Sequence, residues 1–181
     1  MKVIETDIPG VLILEPRVFA DGRGFFMESF NARTWREATD LETDFVQDNH
    51  SRSSRGVVRG LHYQLESVQG KLVRVVRGEI YDVALDVRRS SPTCGRWTGV
   101  RLSAENKRQF WIPEGFAHAF MALSETADVL YKASDYYAPD HERSIRWDDP
   151  ELAIDWPIPS GALLSGKDRR AVSFCEAELL P

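Results

Sequence analysis

Apolar and polar residues alternate with a period of two over residues 71–87, and Gly78 interrupts the alternation. Two β-rich runs separated by a short glycine-containing turn are typical of a β-hairpin. One face of the predicted hairpin is aliphatic, and the other carries charged residues: Asp82, Asp86 and, according to register, Arg74 or Lys71. We therefore expect polar side chains, including those of His62 and Lys71 at the strand entrances, to converge in a sheet-lined cavity.

Similar short runs predict further strands at residues 11–15, 25–30, 45–50, 97–102, 108–112, 119–123 and 128–137. Residues 31–43 are the best candidate for a helix, with Asn31 as its N-cap. Residues 51–56 are predicted to be a basic, serine-rich loop, and residues 113–118 a turn. The region from Pro139 onward should hold loops and one or two short helices that pack over a sheet.

Many short strands, little helix and the lack of a linker or repeat are typical of an all-β domain. We predict that residues 1–181 form a single mainly β domain, an antiparallel β-sandwich or barrel with a few short helices. A chain of 181 residues is long enough for a full two-layer core.

The composition narrows the function classes. The net charge of −5 argues weakly against a nucleic-acid binder, although a local basic cluster could still bind one anionic ligand. Cys94 and Cys175 are too few for a disulfide-stapled fold, so we expect a reducing, cytoplasmic setting. The N-terminal residues lack an apolar signal core, and no run is long enough to span a bilayer.

Two of the four histidines stand out as candidate site residues. His62 lies in a strand-rich region, and His118 lies just past the tight turn at Pro113-Glu114-Gly115 among aromatic residues, whereas His141 lies in a polar loop. A metal site on a strand commonly uses histidines at i and i+2, but position 64 is Gln64. The ligand count therefore argues against a metal.

Acid–base chemistry is the reaction class that these residues favour. His62 could act as a base, Tyr131 as an acid, Lys71 as a fixed positive charge and Asp168 as the partner that orients a histidine. Alternatively, Tyr131 is half-buried packing in a sheet and Lys71 is a solvated strand end. Basic residues could form an anion-binding rim or be scattered surface charge; these are Arg23, Arg52, Arg55, Arg59 and Lys167.

Five motifs in order resemble the dTDP-4-dehydrorhamnose 3,5-epimerase family, over about residues 11–168. They are Arg59-Gly60-Leu61-His62-Tyr63-Gln64, Pro113-Glu114-Gly115-Phe116-Ala117-His118-Ala119-Phe120, Tyr136-Tyr137-Ala138-Pro139, Ile145-Arg146-Trp147-Asp148-Asp149-Pro150 and Leu164-Ser165-Gly166-Lys167-Asp168. Each motif alone is modest, but five in the right order are highly specific.

The resemblance implies a cupin-type jelly roll, a homodimer, and no metal or organic cofactor. It also implies a reaction, the inversion of C3 and C5 of dTDP-4-dehydro-6-deoxy-D-glucose on the way to dTDP-L-rhamnose. By the same resemblance, His62 is the base and Asp168 orients it. Tyr131 returns a proton from the opposite face of the sugar, and Lys71 stabilises the enolate oxygen.

The family similarity also implies residues that bind the nucleotide sugar. The diphosphate or its neighbours would be bound by basic residues, namely Arg23, Arg59 and Lys167. Thymidine or the sugar would be held by Glu28, Gln47, Asn49, His118 and Glu142. Aromatic surface would come from Tyr137, stacked on the thymine, and from Phe19 and Phe26 across the dimer.

One departure from the family pattern is Ala119, where glycine is expected, and the added methyl bears on the fine shape of the pocket. Two alternatives remain open. One is an epimerase that inverts only C3 or only C5 of another dTDP-4-keto-deoxysugar. The other is a non-catalytic cupin that binds a nucleotide sugar, although a binder needs no base–acid pair.

Overall fold

The computed structural model describes residues 1–158 and 160–181, and most of its regular structure is β-strand. The strands in these residues are β1 (Lys2–Glu5), β2 (Leu12–Glu15), β3 (Val18–Asp21), β4 (Gly24–Met27), β5 (Gln47–Ser54), β6 (Val58–Gln64), β7 (Lys71–Arg77), β8 (Glu79–Asp86), β9 (Trp97–Ser103), β10 (Gln109–Ile112), β11 (Phe116–Ala122), β12 (Thr126–Ala133) and β13 (Glu142–Ser144). The helices are α1 (Ala32–Thr39) and three single-turn 3₁₀ helices, Pro139–His141, Asp168–Arg170 and Phe174–Glu176.

The strands form two antiparallel sheets that pack on each other. The first sheet has the order β1-β2-β10-β7-β12-β5, the second has the order β13-β6-β11-β8-β9, and β3 and β4 form a separate hairpin. The core between the sheets is apolar, with Val73 and Val75 from the first sheet and Ile80, Phe116 and Phe120 from the second. Each such side chain contributes roughly 1.5–3 kcal/mol of hydrophobic stabilisation. The predicted antiparallel β-sandwich is confirmed.

The hairpin predicted over residues 71–87 is wrong. β7 pairs with β10 and β12 in the first sheet, whereas β8 pairs with β11 and β9 in the second sheet. The chain crosses between the sheets at Gly78, whose φ is +73° and where a Cβ would collide with the Thr126 carbonyl oxygen. Alternation identifies the strands but not their partners. A strand alternates in the same way whether the next strand pairs with it in a hairpin or belongs to the other sheet.

The outer face of the second sheet is covered by the C-terminal third of the chain. Leu85 and Met121 of the sheet belong to one buried cluster with Leu152, Trp156 and Leu180. Isolated bridges fix this layer, among them Ile145 to Val172. The expectation of loops and short helices packed over a sheet is therefore confirmed, and this layer carries Asp168 to the edge of the sandwich.

The single predicted α-helix is confirmed with its cap but is shorter than expected. Oδ1 of Asn31 accepts hydrogen bonds from the backbone N–H groups of Arg33 and Thr34, at 2.9 and 3.3 Å. The helix ends at Thr39 because Asp40 takes a left-handed conformation with φ of 56°. Its buried Trp35 packs edge-on against Trp111 on the outer face of the first sheet.

Three local boundaries differ from the prediction. Residues 51–54 continue β5 instead of forming a loop, since they pair with Thr126–Val129 of β12. His118 lies within β11 and not in a turn, because β11 begins at Phe116. The strand predicted over residues 128–137 ends at Ala133.

A β-bulge in β6 sets the direction of its side chains. His118 of β11 pairs with His62, but Phe120, two residues on, pairs with Arg59, so β6 has one extra residue in this interval. The bulge includes Gly60, whose φ is +116°. Strict alternation would point Arg59 and His62 to opposite faces, whereas the extra residue lets both face the inside of the sandwich.

Gly60→Ala should destabilise the protein by about 3 kcal/mol, because an added Cβ would meet the His118 carbonyl oxygen and lie 2.5 Å from the Cβ of Ala119. The measurement is denaturant unfolding at fixed protein concentration. Gly22→Ala is the matched control, since a Cβ at Gly22 has nothing within 4 Å. Equal stability of the two variants would show that β6 does not need glycine in the bulge.

Candidate active site

A cavity of about 610 Å³ opens between the two sheets and the C-terminal layer. Polar and aromatic side chains dominate its lining, an unusual content for the interior of a β-sandwich. The first sheet contributes Gln47, Asn49, Ser51, Lys71 and Tyr131; the second contributes Arg59, His62, Gln64, His118, Phe120 and Glu142. The segments outside the sheets contribute, among others, Gln69, Tyr137, Ser165, Lys167 and Asp168.

Register explains why the residues of the first sheet meet in the cavity. Residues directly opposite on neighbouring strands project from the same face of a sheet. Tyr131 of β12 is opposite Asn49 of β5 and Val73 of β7, and Val73 belongs to the inner core. Lys71 lies two residues before Val73 and therefore faces the same way.

His62 forms a hydrogen-bonded pair with Asp168. Nε2 of His62 lies 2.5 Å from Oδ1 of Asp168, and the hydroxyl of Ser165 donates to Oδ2 at 2.6 Å. Burial opposes ionisation of Asp168, but the hydrogen bonds from His62 and Ser165 outweigh it and lower the pKa of the carboxyl. An ionised carboxylate only accepts hydrogen bonds, so Nε2 carries the hydrogen and the lone pair is on Nδ1.

Burial keeps His62 in its neutral form near pH 7. It lowers the pKa of the imidazole below its ordinary value of 6.5, against the opposing effect of the Asp168 hydrogen bond. The side chain is nevertheless 22% exposed, so a ligand in the cavity can reach it. His62 thus has the protonation state and the access that a general base requires.

Tyr131 lies on the opposite sheet, and its ring is edge-on to the ring of His118 with centroids 6.3 Å apart. His118 is in turn directly opposite His62 in the second sheet. Burial raises the pKa of the Tyr131 phenol, so the hydroxyl keeps its proton near neutral pH. The structure therefore brings a neutral imidazole, with an unprotonated Nδ1, and a protonated phenol to one cavity.

Lys71 is the third ionisable group of the cavity. Burial lowers the pKa of its ammonium to about 8, and the negative charges of Glu142 and Asp82 oppose this effect. Its side chain is therefore mostly cationic at pH 7, although it loses its proton more easily than an exposed lysine.

The rim is organised around Glu142. Lys167 donates to one carboxylate oxygen at 2.7 Å, and the hydroxyl of Tyr137 donates to the other at 2.9 Å. The backbone N–H of Tyr137 donates to Oε1 of Gln47 at 3.0 Å. Burial tends to raise the pKa of Glu142, but the hydrogen bonds from Lys167 and Tyr137 outweigh it and lower the pKa.

Of the five basic residues considered for an anion-binding rim, only Arg59 and Lys167 line the cavity. Nε of Arg59 donates to Ser53 at 3.0 Å, which fixes the guanidinium. Arg52 instead forms an ion pair with Asp128. The predicted rim is thus smaller than the sequence indicated.

Four predicted substrate-binding residues are not part of this cavity lining within the described chain: Arg23, Glu28, Phe19 and Phe26. Phe19, Phe26 and Glu28 line a separate depression of about 280 Å³ beside α1. Arg23, in the turn of the β3–β4 hairpin, pairs with Asp21 and has a side chain that is 91% exposed. The single chain therefore does not bring these residues to His62.

Several cavity residues were missed by the sequence reasoning. Ser165 lies in a motif that was recognised, but its hydrogen bond to Asp168 was not predicted. Ser51 was placed in a loop, and its inward direction depends on the pairing of β5. Asp82 does not line the cavity and was expected only as part of a polar strand face; the 2.6 Å contact of its Oδ1 with Nε2 of the cavity residue His118 was not predicted.

Ala119 lies on the other side of β11 from the cavity. It belongs to the buried cluster under the C-terminal layer, and its Cβ is next to Gly60. Its methyl group therefore contacts the bulge of β6 and does not line the pocket, so the expected effect on pocket shape is at most indirect.

Comparisons with known proteins agree with these features. The family model described as dTDP-4-dehydrorhamnose 3,5-epimerase matches residues 5–176. The dTDP-4-dehydrorhamnose 3,5-epimerase of Pseudomonas aeruginosa is 60% identical, and the match covers 100% of both chains.

Two solved structures are also similar. The dTDP-6-deoxy-D-glucose-3,5-epimerase of Legionella pneumophila, in complex with dTDP-4-keto-L-rhamnose, is 53% identical with a TM-score of 0.95, and the match covers 98% of this chain and 94% of that one. A 3′-monoepimerase of Streptomyces bikiniensis, in complex with dTDP-quinovose, is 35% identical with a TM-score of 0.88, over 97% and 88% of the two chains. The chain described here belongs to the dTDP-4-dehydrorhamnose 3,5-epimerase family, as its motifs predict.

Proposed function

We propose that this chain, as one domain over residues 1–181, inverts C3 and C5 of dTDP-4-dehydro-6-deoxy-D-glucose to give dTDP-4-dehydro-L-rhamnose. The observation that carries the proposal is the placement of His62 and Tyr131 on opposite sheets of one cavity, with Lys71 in the same lining. Inversion requires a base on one face of a carbon and an acid on the other, and the positions of His62 and Tyr131 on opposite sheets support such an arrangement.

The first step is removal of a proton next to the ketone. Nδ1 of His62 takes the proton from C5 or C3, and the electrons of the C–H bond move onto the C4 oxygen to form an enolate. Asp168 holds the imidazole in the tautomer that leaves Nδ1 unprotonated. A positioned base of this kind contributes about 10²–10⁴-fold in rate.

Lys71 stabilises the enolate oxygen. Its ammonium is cationic at pH 7, and a charge inside a partly dry cavity acts more strongly on a developing oxyanion than one in water. Loss of one such donor costs on the order of 10²–10³ in rate.

Tyr131 completes the inversion from the opposite face. Its phenol gives a proton to the carbon while the enolate collapses back to the ketone. Water then restores the proton on Tyr131 and removes the one on His62, so no net proton is consumed. The raised pKa of the phenol keeps Tyr131 in its acid form before each turnover.

The nucleotide is bound at the rim in this proposal. Arg59 and Lys167 contact the diphosphate, and Tyr137 stacks on the thymine. Sugar and thymidine oxygens and nitrogens are held by Gln47, Asn49, His118 and Glu142. Lys167 already pairs with Glu142, so a bound diphosphate would share or compete for this cation.

A homodimer supplies the remaining binding residues. The β3–β4 hairpin lies outside both sheets, and its aromatic residues are exposed, with Phe25 at 60% and Phe26 at 70%. An apolar hairpin of this kind is a cost in water unless a partner covers it. We infer that it inserts beside the cavity of a second copy, where Arg23, Phe19, Phe26 and Glu28 reach the substrate.

The setting that we propose is the reducing cytoplasm. Both cysteines carry free thiols, which is consistent with such a setting. Within the described residues, no helix has the length and hydrophobicity needed to cross a bilayer.

His62→Ala should abolish solvent deuterium incorporation at both C3 and C5, because no base remains to break either C–H bond. Tyr131→Phe should keep the exchange but lose the L-sugar product, because it removes only the acid. Both are measured by NMR of the keto sugar in deuterated water, with product trapped by a reductase. Persistent exchange in His62→Ala would indicate another base.

Exchange at only one carbon in the unmodified enzyme would favour the single-centre alternative, which the 35% identical monoepimerase supports.

The pH profile of kcat/KM should be bell-shaped, with activity lost at both acid and alkaline pH. Below pH 6.5 activity falls as His62 gains a proton, with a midpoint under 6.5 because burial lowers the pKa of its folded form. Activity also falls as pH rises through about 8, where Lys71 loses its charge. In Lys71→Arg the alkaline fall near pH 8 should disappear, since a guanidinium keeps its charge to pH values above about 12. An unchanged alkaline fall in that variant would assign it to another group.

Heterodimers test whether the site is shared between subunits. A dimer of one His62→Asn and one Arg23→Ala subunit, purified through two different tags, has one intact site if Arg23 acts in the partner's cavity. Its activity at subsaturating substrate should be about half that of the unmodified dimer. If Arg23 acts in its own subunit, the activity will not exceed the mean of the two parent variants. Sedimentation of the unmodified protein establishes the dimer independently.

A further inference from the structure

Asp82 is a buried carboxylate that the proposed mechanism does not use. It lies in β8 with Ile80 and Ala84 on the same face of the strand, and its relative exposure is 0%. Both neighbours belong to the apolar core between the sheets. Because an unpaired carboxylate in such a place costs several kcal/mol, its presence calls for a specific interaction.

One oxygen of Asp82 holds the ring of His118. Nε2 of His118 lies 2.6 Å from Oδ1 of Asp82, and both groups are buried. The residue directly opposite His118 on β8 is Ala84, and Asp82 lies two residues before it on the same face of the strand. An ionised Asp82 can only accept a hydrogen bond, so this contact requires the hydrogen of a neutral His118 ring to be on Nε2 and leaves Nδ1 unprotonated.

The other oxygen is unsatisfied. Oδ2 of Asp82 is buried and has no hydrogen-bond partner within residues 1–158 and 160–181. A carboxylate that served only to fix His118 would more often have its second oxygen paired as well. The free oxygen leaves the negative charge of Asp82 available to a nearby cation.

Lys71 faces the same interior from the opposite sheet, on the side of β7 that carries the core residue Val73. Because the two side chains point toward one another's sheet from inward faces, the attraction between their opposite charges favours the ionised form of each. The other ionisable groups that act on the Lys71 ammonium are Glu142, which favours it, and Lys167, which opposes it. Tyr131 and His118 line the same cavity. Glu142 is already engaged by Lys167 and Tyr137, whereas one oxygen of Asp82 has no hydrogen-bond partner among the residues that the structure describes.

We propose that Asp82 is a positioning residue that serves two cavity groups at once, fixing the His118 ring through one oxygen and holding Lys71 as an ammonium through its charge. The proposal rests on the proposed function, because these are the groups that would bind the sugar and the enolate oxygen. Burial raises the pKa of Asp82 while His118 and Lys71 oppose this, so the three groups depend on one another for their charges. Asp82 itself does not line the cavity and need not touch the substrate.

The test is a side-chain NMR titration of Lys71 in the unmodified protein and in Asp82→Asn, with the signal assigned from Lys71→Arg. Asparagine has nearly the same shape but no charge, so the Lys71 midpoint should fall by about half a unit or more, a threefold or larger change in its proton affinity. Asp128→Asn is the matched control, because Asp128 pairs with Arg52 and His50 and is not part of the cavity lining. A Lys71 midpoint that is unchanged in Asp82→Asn, or that moves equally in both variants, would overturn the proposal.

A second measurement needs no variant at position 82. In protein labelled with ¹⁵N-histidine, His118 should carry hydrogen on Nε2 and leave Nδ1 unprotonated at a pH where the ring is neutral. The opposite tautomer would overturn the proposal even if Asp82→Asn does not fold. Neither measurement requires turnover, so an unmodified protein that fails to epimerise the sugar would reject the proposed function and leave this test intact.

Discussion

The hydrogen bond between His62 and Asp168 joins residues 106 positions apart in the chain. His62 belongs to the sandwich, whereas Asp168 belongs to a one-turn helix of the C-terminal layer. That layer is held on the second sheet by a buried cluster that includes Leu152 and Trp156. The proposed base is therefore oriented only when the C-terminal layer is docked, which links hydrophobic packing on the outer face to chemistry on the inner one.

Burial has different consequences for the three ionisable groups of the proposed mechanism. It lowers the pKa of His62, raises that of Tyr131 and lowers that of Lys71 to about 8. In each case burial favours the uncharged form of the group, which leaves His62 as a neutral base and Tyr131 as a neutral acid near pH 7. Lys71 alone must stay charged against this effect, so it depends on neighbouring carboxylates. A single cavity thus supplies the different protonation states that two-sided proton transfer needs.

The sequence predicted most of the strands and the central site residues, but not the strands β1, β3, β6 and β13 or the long-range arrangement of the sheets. Alternation located β7 and β8, yet it could not show that Gly78 carries the chain from one sheet to the other. The direction of Arg59 was likewise hidden, because it depends on an extra residue opposite β11. The residues alone offered His62 and Tyr131 only as candidates for acid–base chemistry, and the family resemblance implied their roles, since a period-two pattern does not distinguish a catalytic side chain from a packed one.

The two histidine–aspartate pairs look alike in distance but differ in environment. Asp168 receives a second hydrogen bond from Ser165, and its pKa is lowered despite burial. Asp82 has no second partner in the described chain, and burial raises its pKa. The first carboxylate is therefore a stable anion that can hold an imidazole through a full turnover, while the charge of the second depends on nearby cations. A histidine–aspartate pair can thus orient a proposed base, as at His62, or have a carboxylate whose ionisation depends on nearby cations, as at His118.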